Sequence, residues 1–247
     1  MDAAMKPADG GQGAGMSFSL DRIVPWGRSF EEYVAMFALD REDLGKRILG
    51  CGDGPAGFNA TLSKGGGSVL SVDPLYRFPA EAIARRIDET RAIVLEQTRR
   101  NAHEFAWSHI RSVAELDRIR MATMAEFLAD YPQGGQEGRY LAAALPSLPL
   151  AAVFDLALCS HLLFLYSAHL DLDFHLRSLR ELCRIAPEVR VFPILELGAV
   201  RSRHVDAVVA TLADEGYAVG IEKVDYEFQK GGNEMLRLRR RKNPAPY

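Results

Sequence analysis

Residues 48–57, ILGCGDGPAG, carry an apolar stretch into a turn with glycine at 50, 52 and 54, and the chain then reads as helix from Phe58. Strand, glycine turn and helix open a parallel α/β unit in which missing Cβ atoms let a ligand approach the backbone. A second strand, SVLSVDP, follows the break at Gly65, Gly66 and Gly67 and is stopped by Pro74. Asp73 ends it, and at a sheet's carboxyl edge such a carboxylate can accept two hydrogen bonds from a ribose diol. The pair says more than either part: a nucleotide-like cofactor is expected at this edge.

On the amino-terminal side, Ser29 caps a short helix whose Phe30, Tyr33, Met36 and Phe37 bury one face. On the other side, residues 79–138 carry helical apolar spacing (Ile83, Ile87, Val94, Leu95, then Ile110, Val113, Leu116, Ile119), too long for an ordinary crossover. They read as a helical insertion after the second strand, with GGQEG as its exit turn. The rest alternates: strands in RYLAAAL, FDLALCSH and EVRVFPIL, and helices over 173–185, capped by Asp173, and over 202–215. YAVGIEKVDYEF and EMLRLR close the chain as strands joined by the glycine turn QKGGN. The fold class is therefore α/β, with a mostly parallel sheet, a C-terminal antiparallel hairpin and one reversed strand. Residues 1–16 read as a flexible leader and 17–247 as a single domain.

Composition narrows the function. With 247 residues, 48% of them hydrophobic, the chain can bury a full core, and a formal charge of −3 supplies no chain-wide basic field for nucleic acid. The longest apolar run, around 156–166, is too short to cross a membrane. Three cysteines match no zinc spacing and read as reduced thiols, and the start has no secretory h-region, so a cytoplasmic location is expected.

Gly52, Gly54 and Gly57 also satisfy the GxGxxG spacing of nicotinamide and flavin proteins. Against a dinucleotide stand acidic Asp53, which would repel a pyrophosphate from within the turn, and the terminal hairpin, which does not suit a second mononucleotide-binding half. A cationic cofactor fits better. At this point the chain resembles the class I methyltransferases that use S-adenosylmethionine. The carriers are ILGCGDG, SVDP, LPSLP after the third strand, FDLALCSH and the terminal hairpin, over roughly residues 45–240 outside the insertion. The resemblance implies a Rossmann-like, doubly wound sheet with Gly50, Cys51 and Gly52 along the cofactor's methionine end, Asp73 on the ribose and Pro74 against adenine. It puts Ala144 and Leu145 in the adenine region, where the family often carries an acidic residue and this chain does not.

The segment LCSHLLFLY leaves its strand at the edge where open sheets place ligands, so Ser160 and His161 should face the cleft. His161 is the candidate catalytic residue: it can take the proton of an amine or hydroxyl acceptor, or simply hydrogen-bond backbone or cofactor. Arg28 can pair with the cofactor's carboxylate. Trp26, Tyr33, Phe164 and Tyr166 offer aromatic faces to a sulfonium, although core packing is their commoner use. His169 and His175 beside Asp171 and Asp173 do not make a metal set, and the arginines of RLRRRKNP read as one strand face and a frayed end.

The expected function is an S-adenosylmethionine-dependent methyltransferase acting on a small molecule, with the insertion roofing the cleft or offering a face to a second copy in a homo-oligomer. The alternatives are an enzyme that transfers or cyclises the aminocarboxypropyl group, releasing methylthioadenosine, and a non-catalytic cofactor-binding subunit. An NAD-dependent oxidoreductase is the remaining option. Neither nucleic acid nor membrane is expected as a partner.

Overall fold

The computed structural model describes residues 24–150 and 154–240, so the 1–16 leader lies outside the described residues. In chain order the elements are α1 (Phe30–Met36), α2 (Arg41–Leu44), β1 (Arg47–Cys51), α3 (Phe58–Lys64), β2 (Ser68–Val72), α4 (Ala80–Arg100), α5 (Val113–Gln136) and β3 (Tyr140–Leu141). Then come β4 (Leu156–Ser160), α6 (Leu172–Ile185), β5 (Glu188–Phe192), β6 (Leu195–Glu196), β7 (Val200–Arg201), α7 (Val205–Asp214), β8 (Tyr217–Lys223) and β9 (Glu234–Arg240).

The main sheet runs in the order β3-β2-β1-β4-β5-β9-β8. β1 pairs in parallel with both β2 and β4, and β4 with β5, while β9 lies antiparallel between β5 and β8. The strand order reverses between β1 and β4, which is where an open α/β sheet forms its ligand crevice. This is a Rossmann-like, doubly wound sheet with a C-terminal antiparallel pair, as the sequence led us to expect.

Period-2 side-chain alternation gives the sheet two apolar faces. Leu49, Cys51, Ala157 and Cys159 pack toward Leu179, Leu182, Val205 and Val208, on the side of α6 and α7. Ile48, Leu156 and Leu158 pack the other way, toward Tyr33 on α1, Phe37 just after it and Phe58 on α3. Each leucine, isoleucine, valine or phenylalanine among them taken fully out of water contributes about 1.5–3 kcal/mol, and both faces are covered, so the central strands read as unbroken apolar runs.

Four boundaries differ from expectation. Gly134 and Gly135 lie within α5, and the exit turn is at Glu137 and Gly138; a Cβ on Gly134 would sit 2.4 Å from the Tyr140 ring, which explains a glycine in the last helical turn. The cap of α6 is Asp171, whose side chain accepts from Phe174 N at 2.8 Å, and Asp173 falls inside the first turn. Residues 139–145 hold only the two-residue β3. Residues 224–233, a ten-residue excursion and not a tight turn, join β8 to β9. That excursion matters: Ala106 N donates to Phe228 O (2.8 Å) and Lys230 N to Glu104 O (2.8 Å), tying it to the segment between α4 and α5.

Candidate functional site

The glycine turn after β1 takes its shape from positive φ angles, +73° at Gly52 and +53° at Gly54. That region is costly for residues with a Cβ, and glycine enters it freely. Around a Gly54 Cβ there would be open space, with nothing within 4 Å. At Gly52 the substituent would meet the Leu162 Cβ at 3.0 Å and the Ser160 carbonyl at 3.2 Å. Gly50 answers to a different demand: its Cβ would fall 1.9 Å from a carboxylate oxygen of Asp53, so glycine there makes room for the protein's own side chain and not for a ligand. Cys51 is likewise turned away, buried in the core face.

Asp53 corrects the electrostatic reading of the turn. Its carboxylate folds underneath, accepting from Tyr33 Oη at 2.8 Å and from Ser71 Oγ at 2.6 Å. It presents no charge to a ligand above the turn, so it gives no ground for excluding a pyrophosphate. Burial raises its pKa to about 7 against the pull of the Ser71 and Tyr33 hydrogen bonds, and the nearby Asp73 charge pushes the same way.

Asp73 stands beside the turn. Its Oδ2 accepts from Gly54 N (2.9 Å) and its Oδ1 from Leu75 N (2.8 Å), capping a single 3-10 turn that Pro74 opens. Each oxygen keeps a further lone pair for another donor. Burial raises this carboxyl's pKa, and those two backbone donors oppose the rise. Tyr76 Oη donates to Gly54 O at 2.8 Å, fastening the turn from the same segment.

From the amino-terminal side, residues 24–28 lie directly on the turn. Gly57 N donates to Arg28 O at 3.0 Å, and a Cβ on Gly27 would strike Pro55 O at 2.0 Å. The Arg28 guanidinium donates to Trp26 O at 2.6 Å, its buried Nε has no partner, and no carboxylate among the described residues forms an ion pair with it. Burial lowers its pKa, and the neighbouring Arg120 charge adds to that. Arg120, in α5, is itself spoken for: with Tyr226 from the excursion before β9 it holds Glu32, whose Oε1 accepts from Arg120 Nη2 and from Tyr226 Oη at 2.7 Å each. Burial pushes the Glu32 carboxyl up, but Arg120 outweighs it and keeps the pKa below its ordinary value.

His161 follows β4 with φ +48°, an unfavourable backbone for a residue with a side chain, held by its N–H on Phe192 O (2.7 Å) and its ring edge-on to Phe192. Strain of this kind costs about 1–3 kcal/mol and clusters at functional sites. Nδ1 lies 3.0 Å from Ser160 Oγ. Burial, then the charges of Arg28 and Arg120, push its pKa well down, so the ring is neutral near pH 7.

The structure thus brings Gly52, Gly54, Asp73, Pro74, Arg28, Ser160 and His161 to one edge. Ala144 is exposed and Leu145 buried in the core, and neither side chain forms a hydrogen bond to the turn. Tyr33 and Phe164 are fully buried core residues, whereas Tyr166 is 38% exposed and the Arg28 and Asp73 charges are felt at its hydroxyl. Sequence reasoning passed over Glu32, Arg120, Tyr226, Ser71 and Asn59. Glu32 carried a signal, three residues after Ser29 in a capping box, but its second partner is 88 residues away. Two cavities lie elsewhere: about 410 Å³ lined by Lys64, Asp130 and Arg139 among others, and about 600 Å³ between α1 and residues 223–225.

No model of a known protein family matches the sequence. An uncharacterized protein of Methanocaldococcus jannaschii, MJ0045, is 33% identical over 224 residues, which are 90% of this chain and 98% of that one. The chain belongs to the same family as that archaeal protein. Among solved structures, magnesium protoporphyrin IX methyltransferase from Synechocystis with bound S-adenosylmethionine is 13% identical, covering 86% of this chain and 78% of its own, with a TM-score of 0.44. A TehB-like S-adenosylmethionine-dependent methyltransferase from Corynebacterium glutamicum gives 15%, 87%, 88% and 0.45. The N-methyltransferase NodS from Bradyrhizobium japonicum, in complex with S-adenosylhomocysteine, gives 12%, 86%, 85% and 0.44. No helix among the described residues is long and apolar enough to cross a membrane.

Proposed function

We propose that this protein is an S-adenosylmethionine-dependent methyltransferase acting on a small-molecule acceptor. The observation that carries the reading is the junction of Gly54 and Asp73 at the point where strand order reverses, a backbone turn open above Gly54 and a half-buried carboxylate with a lone pair to spare on each oxygen.

The residues fit the cofactor's three polar ends. Asp73 is suited to the ribose hydroxyls, Gly52 and Gly54 to close approach along the backbone, and Arg28, a guanidinium with an orphaned buried Nε and no carboxylate, to the amino-acid carboxylate. Pro74 opens the segment beside the adenine end. Ala144 and Leu145 contribute no polar side chain there, which leaves the base to backbone groups. When bound, the cofactor supplies an electrophilic methyl on a sulfonium and needs no metal to activate it. The chain's part is to hold the acceptor in line, exclude water and receive the acceptor's proton. His161 suits that last duty because it is neutral near pH 7 and its Nε2 has no partner among the described residues.

A small acceptor is favoured over a nucleic acid because arginines of the closing strand are already committed: Arg237 pairs with Glu188 and Glu222, and Arg239 with Glu188. We assign residues 79–138 the role of covering the cleft, supported by the Arg120 contact with Glu32 and the bonds from residues 104–106 to the excursion before β9. Cys51, Cys159 and Cys183 are free and buried, which suits a reduced cytoplasm.

The test is to incubate the protein with S-adenosylmethionine and a metabolite extract and identify the sulfur product by mass. S-adenosylhomocysteine is the expected product. Methylthioadenosine would replace this reading with aminocarboxypropyl chemistry, and binding without turnover would leave a cofactor-binding subunit.

A further inference from the structure

His175, near the start of α6, is fully buried, and its ring is held between the helix and the segment that follows β4. Nδ1 lies 2.7 Å from Asp171 O and Nε2 lies 3.0 Å from Leu163 O, with Ser167 Oγ 3.4 Å from Nε2. Both nearer partners are carbonyl oxygens, which only accept, so a ring that satisfies both carries a proton on each nitrogen. We propose that His175 is a pH-sensitive latch on residues 161–167: as imidazolium it ties that segment to α6, and as neutral imidazole it lets the Leu163 carbonyl go. The bearing of the latch on the cofactor rests on the methyltransferase reading, whereas its protonation chemistry stands apart from it.

The protons can be counted in both states. Ser167 Oγ has one proton and lies 2.8 Å from Phe164 O and 2.7 Å from Ser202 Oγ, while Ser202 Oγ accepts from His204 N at 3.2 Å. With Ser202 donating to Ser167 and Ser167 to Phe164 O, no donor is left for Nε2, and the charged ring donates to Leu163 O and Asp171 O. When the ring gives its Nε2 proton to solvent, the lone pair left there faces the Leu163 carbonyl and repels it. Ser167 then turns its proton onto Nε2, because Phe164 O keeps the Ser167 N–H at 3.2 Å and Leu163 O keeps the Tyr166 N–H at 3.3 Å. Nδ1 stays protonated, since its carbonyl partner is the nearer one and the hydroxyl within reach stands at Nε2.

The latched segment is the one that borders the glycine turn. It begins at His161, Leu162 sets its Cβ 3.0 Å from where a Gly52 Cβ would stand, and the 3-10 turn Phe164–Tyr166 follows. Releasing Leu163 O loosens the support behind that contact, so the charged ring and a bound cofactor favour each other. The groups facing the ring come from three places. On α6 stands Asp171, whose carboxylate caps the helix at Phe174 N (2.8 Å), with Asp173 beyond it engaged by Arg177. At the start of α7 stands His204, ring centroids 4.8 Å apart, whose charge is also felt at Glu196 of β6, a carboxylate paired with Arg203. The segment itself supplies the Phe164 ring at 5.3 Å and the Ser167 hydroxyl. Burial lowers the His175 pKa, the Asp171 carbonyl opposes the fall, His204 adds to it and the Leu163 carbonyl opposes it again, with burial prevailing. The latch therefore closes on the acid side of the ordinary histidine range.

The test reads the ring directly and needs no acceptor. The full chain is labelled with 15N-histidine, the His175 signals are assigned with His175→Gln, and both ring nitrogens are followed by NMR from about pH 8 to about pH 4.5. The expected result is a neutral ring protonated at Nδ1 at the upper end, which gains an Nε2 proton in one step as pH falls. Ser167→Ala removes the hydroxyl that serves the neutral ring, so it should move that step to higher pH, and the move identifies the signals if His175→Gln is poorly folded. A neutral ring protonated on Nε2, a ring that takes up no second proton, or a step that Ser167→Ala leaves in place or lowers would overturn the latch. Calorimetric titration of S-adenosylmethionine in two buffers of different ionisation enthalpy, at the pH of the step, then reads the coupling. Wild type should take up more protons per cofactor bound than His175→Gln, by a fraction of one, and equal uptake would overturn the latch as a device of this site. No binding by the wild type would defeat the methyltransferase reading and leave the titration of the ring standing.

Discussion

Asp53 shows how one residue's direction decides its chemistry. In the sequence it is an acid in a ligand-binding turn, whereas in the fold it lies under that turn, 7% exposed, with Tyr33 and Ser71 as donors. Its folded pKa lies above its ordinary value, so the folded chain binds more protons than the unfolded one between about pH 4 and 7. Its contribution is therefore most favourable below the unfolded pKa and is lost as pH rises through about 7. Asp53→Asn should consequently gain on the wild type as pH rises from about 5 to about 8, read as a widening difference in melting temperature. A constant difference would mean an ordinary carboxylate. Gly52 and Gly54 divide in the same manner. Gly54→Ala should cost about 1–2 kcal/mol of stability for its left-handed backbone and weaken S-adenosylmethionine binding by more than that loss explains. Gly52→Val meets Leu162 and the Ser160 carbonyl and should damage the fold itself. Arg28→Met removes a half-buried cation that has a partnerless Nε and no ion pair among the described residues, so it should raise the unliganded melting temperature while lowering cofactor affinity. A variant that lost both stability and affinity would make Arg28 structural. Asp73 was legible because strand, stop and acid are local signals. The inward turn of Asp53 was not, since it depends on Tyr33 and Ser71 arriving from two other elements.

Among elements, α5 is tied to α1 by a pair that no local pattern announces. Arg120 is fully buried and meets Glu32, which also receives Tyr226. Removing one partner leaves the other charge buried, so Arg120→Ala should cost about 3–5 kcal/mol. The double variant Arg120→Met with Glu32→Leu should recover much of that loss, as measured by urea unfolding. A double variant no more stable than the single would show that packing, and not the charge, holds the helices together. The helices themselves were readable from apolar spacing, with the Ser29 cap and the α6 apolar face in register. What escaped were the pieces without periodicity: the hairpin of β6 and β7, two residues each, and the excursion over 224–233 that delivers Tyr226. Their conformations are set by what they pack against.

For the molecule as a whole, the sheet places every candidate residue by strand direction. Parallel β1, β2 and β4 send their carboxyl ends to one edge, so Gly54, Asp73 and His161 meet although they are far apart in sequence. That much follows from alternating strands and helices, and the reversed β9 follows from two terminal strands joined locally. The direct test of the account is calorimetric titration of S-adenosylmethionine into the wild type and into Asp73→Ala. One molecule should bind per chain, and the substitution should weaken binding by about 1–3 kcal/mol, the loss of a hydrogen bond to a charged acceptor. No binding to the wild type, or equal affinity in both proteins, would contradict the claim that this edge holds an adenosyl cofactor.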